Sequence, residues 1–484
     1  MKICVIGFGT YGTYLTKRLI EKFGDKVQIT AIEIGNEKTQ NEAEIGIGSE
    51  SENASAAKRG RYFGLGGTSA RWGGQVLFFD ERDNPKNNAD WNFIVDVNKK
   101  YRQTVLENLL GKSTQINSLF DTDTDVKTGI WLKYSKRNVL KLLDKNILKS
   151  VEVIQKQRVT DFKFNNSKIE AVVCQNTEGV TQTTEADVFY LTAGAIESCR
   201  LLLDIQNKHN LNLSSDLGKN YGDHLSVELF KVKNHVPNIA GKDFLPRIIN
   251  GNLKTTRLIA AAKNGNMGFV HPIFNKDVQV FSSIKKMLFG QQKMDFTFKD
   301  ILIGFEFLVR FGFDILIRKK MYVHRNNWSI QLDIEQSFPN PNTISLSPRN
   351  DKFGQKTARL NWSIQDNDRE AIEDIKEQIR RWLEENNVDF STVFGQNTEG
   401  SKIEDVYHPV GFMRLGEDEN AVLNFENRVN GIKNLYHFST AMFPSAKSIN
   451  PTGAGFCFIE NHLVLFEKLL KMAQNEQNTE GVYL

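Results

Sequence analysis

Short continuous apolar runs and longer amphipathic stretches alternate along the chain. Ile3-Cys4-Val5-Ile6 suits a strand buried on both faces, and Leu15, Leu19 and Ile20 then recur at helical spacing. A second apolar run, Val27 to Ile34, follows, so the first thirty-five residues predict a parallel strand, helix, strand unit. Val151 to Ile154 and Ala171 to Cys174 predict strands of a small β section over 150–184. Asp187 to Ala195 reads as a buried strand ending in small residues, with an apolar helix from Arg200 to Leu203 after it. The pattern then changes. Trp328 to Ile334 alternates strictly, as a half-buried antiparallel strand does, and Arg369 to Glu385 has helical spacing. Near the end, Asn450-Pro451 before Phe456, Ile459, Leu463 and Leu465 has the form of an N-cap with proline at the first helical position. From Ala473 the chain reads as a polar tail.

These elements predict an α/β Rossmann-like domain formed from 1–225 and 401–484, and an α+β substrate domain, 226–400, built on an antiparallel sheet. Residues 298–318 stand out. Glu306, Arg310, Asp314 and Arg318 repeat every four positions, as one salt-bridge ladder along a helix, and nearly all the rest is Ile, Leu, Val or Phe. That helix either packs on the substrate sheet or an oligomer partner, or forms a lid or peripheral membrane element; Arg318-Lys319-Lys320 would suit anionic headgroups.

Composition narrows the class. The 484 residues carry 62 Lys plus Arg against 58 Asp plus Glu, a net +4 with no basic arm, so no nucleic-acid partner is expected. The four cysteines are far apart in apolar surroundings, which fits a reducing compartment. With no signal-peptide pattern before Ile3 and no uncharged run of membrane-spanning length, a cytoplasmic protein is expected. There is no HExxH, no CxxC and no GxSxG, so neither a metal site nor serine-hydrolase chemistry is expected.

The turn after the first strand is Gly7-Phe8-Gly9-Thr10-Tyr11-Gly12, and Glu33 closes the second strand. Gly7 permits the tight turn, Gly9 lets backbone amides approach a pyrophosphate, Gly12 allows helix and strand to pack closely, and Glu33 can accept from ribose hydroxyls. Such a turn also occurs in other α/β proteins, and this unit alone fits NAD and FAD equally. Two further segments suit a flat, extended ligand: Gly64 to Gly74, with Gly66, Gly67, Thr68, Ser69, Trp72 and Gly73, and the small residues Ala193-Gly194.

Seven segments in order resemble the glucose-methanol-choline (GMC) oxidoreductases. They are GFGTYG with Glu33, GLGGTSARWGG, LTAGAIESCRLLL, LGKNYGDHL, EQSFPNPNTISLS, HPVGFMRLG from His408, and Asn434-Leu435-Tyr436 through Phe443-Pro444 to Asn450-Pro451-Thr452. The resemblance implies bound FAD and oxidation of alcohols. Trp72 stands where many members have an Asn facing the flavin, which is closest to the branch acting on sugars and polyols. Arg71 occupies the position at which some of that branch join a His covalently to flavin, so FAD is expected to be non-covalent. Ser439 replaces a frequent Asp beside the cofactor. Residues from about 230 to 330 match no part of the family pattern.

The resemblance makes His408 the base that takes the hydroxyl proton, a task suited to imidazole. Most single histidines are structural, and His224 in Gly222-Asp223-His224 reads as structural or cofactor-proximal. Asn450 is the family's second polar group, placed to hydrogen-bond the substrate hydroxyl. A helix opening after it would aim its positive end at reduced flavin and give Pro451 and Thr452 a cofactor role. The expected protein is an FAD-dependent oxidoreductase acting on the CH-OH group of a small alcohol, sugar, polyol or glycan-like molecule, with oxygen or another acceptor for reoxidation. Two alternatives share the fold: a flavin-dependent lyase or isomerase, and a non-catalytic FAD-binding module.

Overall fold

The computed structural model describes residues 1–51, 60–111, 124–276, 278, 298–395 and 402–480. A five-stranded parallel sheet lies at one side, in the spatial order Leu435–His437, Val188–Leu191, Lys2–Ile6, Gln28–Glu33, Val151–Gln155. Its central strands are buried along nearly their whole length, which is why they are apolar on both faces. Helix Thr10–Phe23 buries Tyr14, Leu15 and Leu19, and the C-terminal helix Thr452–Glu480 packs against it, with Tyr14 stacked on Phe456 at 4.3 Å. The Tyr14 hydroxyl donates to Glu460 at 2.7 Å, and Arg18 pairs with the same carboxylate, so the two ends of the chain are bound together through one buried acid.

The second layer is a nine-stranded antiparallel sheet centred on His224–Val232, Trp328–Glu335, Met267–Phe274 and Asn252–Ala261. Sheets do not follow the expected chain boundaries. Gln75–Val76 and Val126–Trp131, inside 1–225, hydrogen-bond into this sheet. Thr343–Asn350 and Lys356–Asn361, inside 226–400, pair with each other, and the latter with Ser49–Ser51.

Several local expectations need correction. The β section over 150–184 is split: Val151–Gln155 joins the edge of the parallel sheet, where Ile29 sits opposite Val151, while Arg158–Asn165, Lys168–Gln175 and Thr181–Glu185 form their own antiparallel sheet. The polar stretch from Ala473 is no separate tail, since helix Thr452–Glu480 runs through it. The ladder along 298–318 is two pairs, Glu306–Arg310 and Asp314–Arg318, each at 3.1 Å. Asp314 turns into the protein and is buried, while Arg310 projects outward, so the middle link is missing. All four cysteines are buried and unpaired. Among the described residues no helix is long and apolar enough to cross a membrane.

Candidate functional site

A long cleft crosses the C-terminal edge of the parallel sheet, with about 1400 Å³ of space between atoms, its open mouth included. Following strand order, it begins at Glu33, Gln157 and Val159, passes Gly7, Gly9 and Gly194, and reaches Ser439, Thr440 and Thr452 beside Trp72. Gly7 has φ +94°, and a Cβ there would lie 2.5 Å from Ala193 Cα; a Cβ on Gly12 would lie 2.1 Å from the Gly7 carbonyl oxygen. Helix and strand therefore touch through glycine. The helix that opens at Thr10 has no side-chain cap and no acid in its first turn, which leaves its amides for an anionic group.

Glu33 is buried, and its carboxylate accepts from three backbone amides: Phe8 at 2.8 Å, Gly35 at 2.9 Å and Gly64 at 3.0 Å. It thereby sews the second glycine-rich segment to the first turn. Burial pushes its carboxyl up against the pull of those donors. Oε1 takes two of the bonds and Oε2 one, so one acceptor direction remains for a hydroxyl in the cleft.

Of the cofactor residues expected from sequence, Gly7, Gly9, Glu33, Gly67, Thr68, Ser69, Trp72, Ala193, Gly194 and Thr452 line the cleft. Gly12, Gly66, Gly73 and Pro451 stand behind the lining. Gly66 is turned against Asn138, and Gly73 against the Trp131 ring, each at a distance a Cβ would violate. Trp72 is fixed by its indole N–H, which donates to the Arg137 carbonyl at 2.6 Å.

His408 and Asn450 lie next to cleft residues, Tyr407 and Pro409 in one case and Thr452 in the other, without lining the cleft. His408 Nδ1 sits 3.1 Å from His224 Nδ1, and His224 Nε2 sits 2.7 Å from the Lys447 carbonyl oxygen. A carbonyl only accepts, so His224 Nε2 carries the hydrogen and, the ring being neutral, His224 Nδ1 is bare. His408 Nδ1 must then donate, which leaves His408 Nε2 with a free lone pair. Asp223 pins both residues, its Oδ1 accepting from the amides of His224 at 2.7 Å and His408 at 2.9 Å. Burial is the main cause that lowers both imidazoles, His408 to about 3; the buried Arg257 guanidinium adds to this and Asp333 opposes it.

Arg257 and Gln75, not anticipated from sequence, hold Asn450 from behind. Arg257 Nη1 donates to Asn450 Oδ1 at 2.9 Å, Arg257 Nη2 donates to Gln75 Oε1, and Asn450 Nδ2 reaches the same Gln75 oxygen at 3.4 Å. Arg257 also lies 3.8 Å over the Phe269 ring, the ring against which His224 packs edge-on. The Asn450 side chain therefore does not cap the final helix as expected. A buried guanidinium is the stronger donor and captures its oxygen. With Oδ1 held by Arg257 and one N–H turned to Gln75, the second amide N–H is the part of Asn450 left to meet a ligand.

Residues 339–456 match the family model described as GMC oxidoreductase. The fold agrees with this. A pyridoxine 4-oxidase from Mesorbium loti is 15% identical, with 96% of this chain and 99% of that one covered at a TM-score of 0.61. A formate oxidase from Aspergillus oryzae RIB40, studied for its FAD modification, is 13% identical, with 98% of both chains covered at a TM-score of 0.58. No curated protein sequence matches this chain. The chain has the GMC oxidoreductase fold, with a parallel Rossmann-like sheet and an antiparallel second layer.

Proposed function

We propose that the protein is an FAD-dependent oxidoreductase that oxidises the carbinol carbon of a sugar, polyol or glycan-like substrate, with FAD bound non-covalently. The glycine turn, the uncapped helix start at Thr10, the remaining acceptor direction of Glu33 and the length of the cleft all fit FAD. Gly7, Gly9, Glu33, Gly67, Thr68, Ser69, Ala193, Gly194 and Thr452 would hold it, with Trp72 beside its ring end. When bound, FAD supplies the hydride acceptor.

The observation that carries the reading is the paired histidines. His408 Nε2 is neutral, with its lone pair free, and takes the substrate hydroxyl proton. The resulting imidazolium keeps its Nδ1–H on His224, so a neutral hydrogen bond becomes a charge-assisted one as the proton arrives. Asn450 offers its amide to the substrate oxygen, and Arg257 fixes that amide without contacting the substrate. The polar clamp of Asn450, Arg257 and Gln75 supports a hydroxyl-rich substrate over a simple alcohol.

The test is anaerobic mixing of the FAD-loaded protein with a panel of alcohols, sugars and polyols. Loss of oxidised flavin absorbance with a hydroxyl-rich member is the expected result. A flavin that stays oxidised with every member while the protein retains FAD would refute the reading.

A further inference from the structure

From Gly304 onward, helix Phe298–Phe313 and the π-helical turn Asp314–Arg318 that extends it present one face to the protein and the opposite face to solvent. Phe307, Asp314 and, in part, Phe311 face inward, and Phe307 meets Tyr322 at 5.9 Å. The segment is tied to the rim of the antiparallel layer by backbone bonds, from Ile248 to Lys319 at 2.7 Å and from Met321 to Pro246 at 2.9 Å. The outward residues are the wrong kind for water. Phe305, Leu316 and Ile317 are 69%, 67% and 66% exposed, and Leu308, Val309 and Phe313 are exposed with them. These six fall on one side of the segment as an apolar arc, with the exposed Glu306–Arg310 pair beside them. An exposed apolar patch of this kind marks a contact surface.

The charge around the arc identifies the occupant. Arg318, Lys319 and Lys320 close the segment, and a polar cleft beside it is lined by Arg310, Arg325 and His324. Glu306 is the acid in that cleft and is already paired with Arg310. An apolar arc flanked by cations matches the boundary of an anionic bilayer, where acyl chains lie beneath phosphate headgroups.

We propose that this face docks the protein on the surface of an anionic phospholipid bilayer, with Phe305, Leu308, Leu316 and Ile317 entering the acyl boundary and the flanking cations meeting headgroup phosphates. The proposal rests on this surface alone and stands whether or not the flavin reading holds. The contact is peripheral and keeps the sheet layers in water.

The test is co-sedimentation of the full chain with vesicles of phosphatidylcholine alone or of phosphatidylcholine with phosphatidylglycerol. The expected result is binding to the anionic vesicles, weakened by salt. The triple variant Phe305→Ser, Leu316→Ser, Ile317→Ser should bind about a hundredfold less tightly. Lys319→Gln with Lys320→Gln should lose about fivefold per charge. All three apolar sites are on the surface, so an unchanged circular dichroism spectrum is expected and separates lost docking from lost fold. Wild-type protein that stays in solution with both vesicle types would overturn the proposal, as would equal binding by the triple variant. So would a dimer that the triple variant turns into a monomer, since the arc would then be covered by a second copy.

Discussion

Replacing His224 with Leu tests how the paired histidines work. In the wild-type protein His408 Nδ1–H has one acceptor, His224 Nδ1 at 3.1 Å, and that acceptor is bare because His224 Nε2 donates to the Lys447 carbonyl. Leucine removes the acceptor and leaves Nδ1–H facing apolar surface. An unmade buried hydrogen bond costs about 1–3 kcal/mol, so His408 shifts its hydrogen to Nε2, the nitrogen that has to be bare. The reactive tautomer then lies uphill by a similar amount, which slows proton abstraction by roughly 5- to 150-fold. His224→Gln, whose amide oxygen can accept in its place, should recover part of the loss. The assay is stopped-flow flavin reduction without oxygen, with bound FAD quantified for each variant so that lost cofactor is not read as lost rate. Equal reduction rates for His224→Leu and wild type, at equal FAD content, would refute the tautomer assignment.

Three other outcomes follow from the same geometry. Arg257→Met should lower kcat/KM by about 10- to 100-fold through the freed Asn450, the range for a hydrogen bond to a charged group, and move the acid limb of the pH profile upward because a cation that depresses His408 is gone; an unchanged profile would separate Arg257 from the base. Glu33→Gln turns an NH2 toward backbone N–H groups, and should cost about 1–3 kcal/mol in denaturant unfolding and weaken FAD retention, whereas full retention would show that the carboxylate is dispensable there. Acid sensitivity comes from His408, His437 and His462, lowered mainly by burial to about 3, 3 and 4 from an ordinary 6.5. Below pH 6.5 the unfolded chain takes up protons that the folded one refuses, so stability falls as pH drops, by up to about 4 kcal/mol per pH unit near pH 5 from these three groups. A flat unfolding free energy between pH 6.5 and 4 would contradict it.

Much of the parallel layer is legible in the sequence, because burial on both faces demands uninterrupted apolar runs. Ile3–Ile6 and Val27–Ile34 correspond to strands Lys2–Ile6 and Gln28–Glu33, and the alternation at Trp328 marks the strand Trp328–Glu335. Pairing between distant segments is not legible. Val151–Gln155 has the residues of either sheet, and only its long-range register places it beside Gln28–Glu33. The glycine turn and His408 could be picked out by local pattern, but the groups that tune them could not. Arg257 and Gln75 meet Asn450 across separations of 193 and 375 residues, with no local signal. His224 carried a signal in Gly222-Asp223-His224, yet its partner lies 184 residues away. The exposed arc over 305–317 was visible as composition; which face turned outward depended on Phe307 and Asp314 finding the protein interior.

The most direct test of His408 as the base is the single-turnover rate of flavin reduction in His408→Ala, measured against wild type with the hydroxyl-rich substrate that reduces the wild-type flavin. FAD content should be unchanged, because His408 does not line the cofactor cleft, and the rate should fall by about 10²- to 10⁴-fold, with the acid limb of the pH profile lost. Reduction at the wild-type rate, or with the same pH dependence, would contradict the assignment.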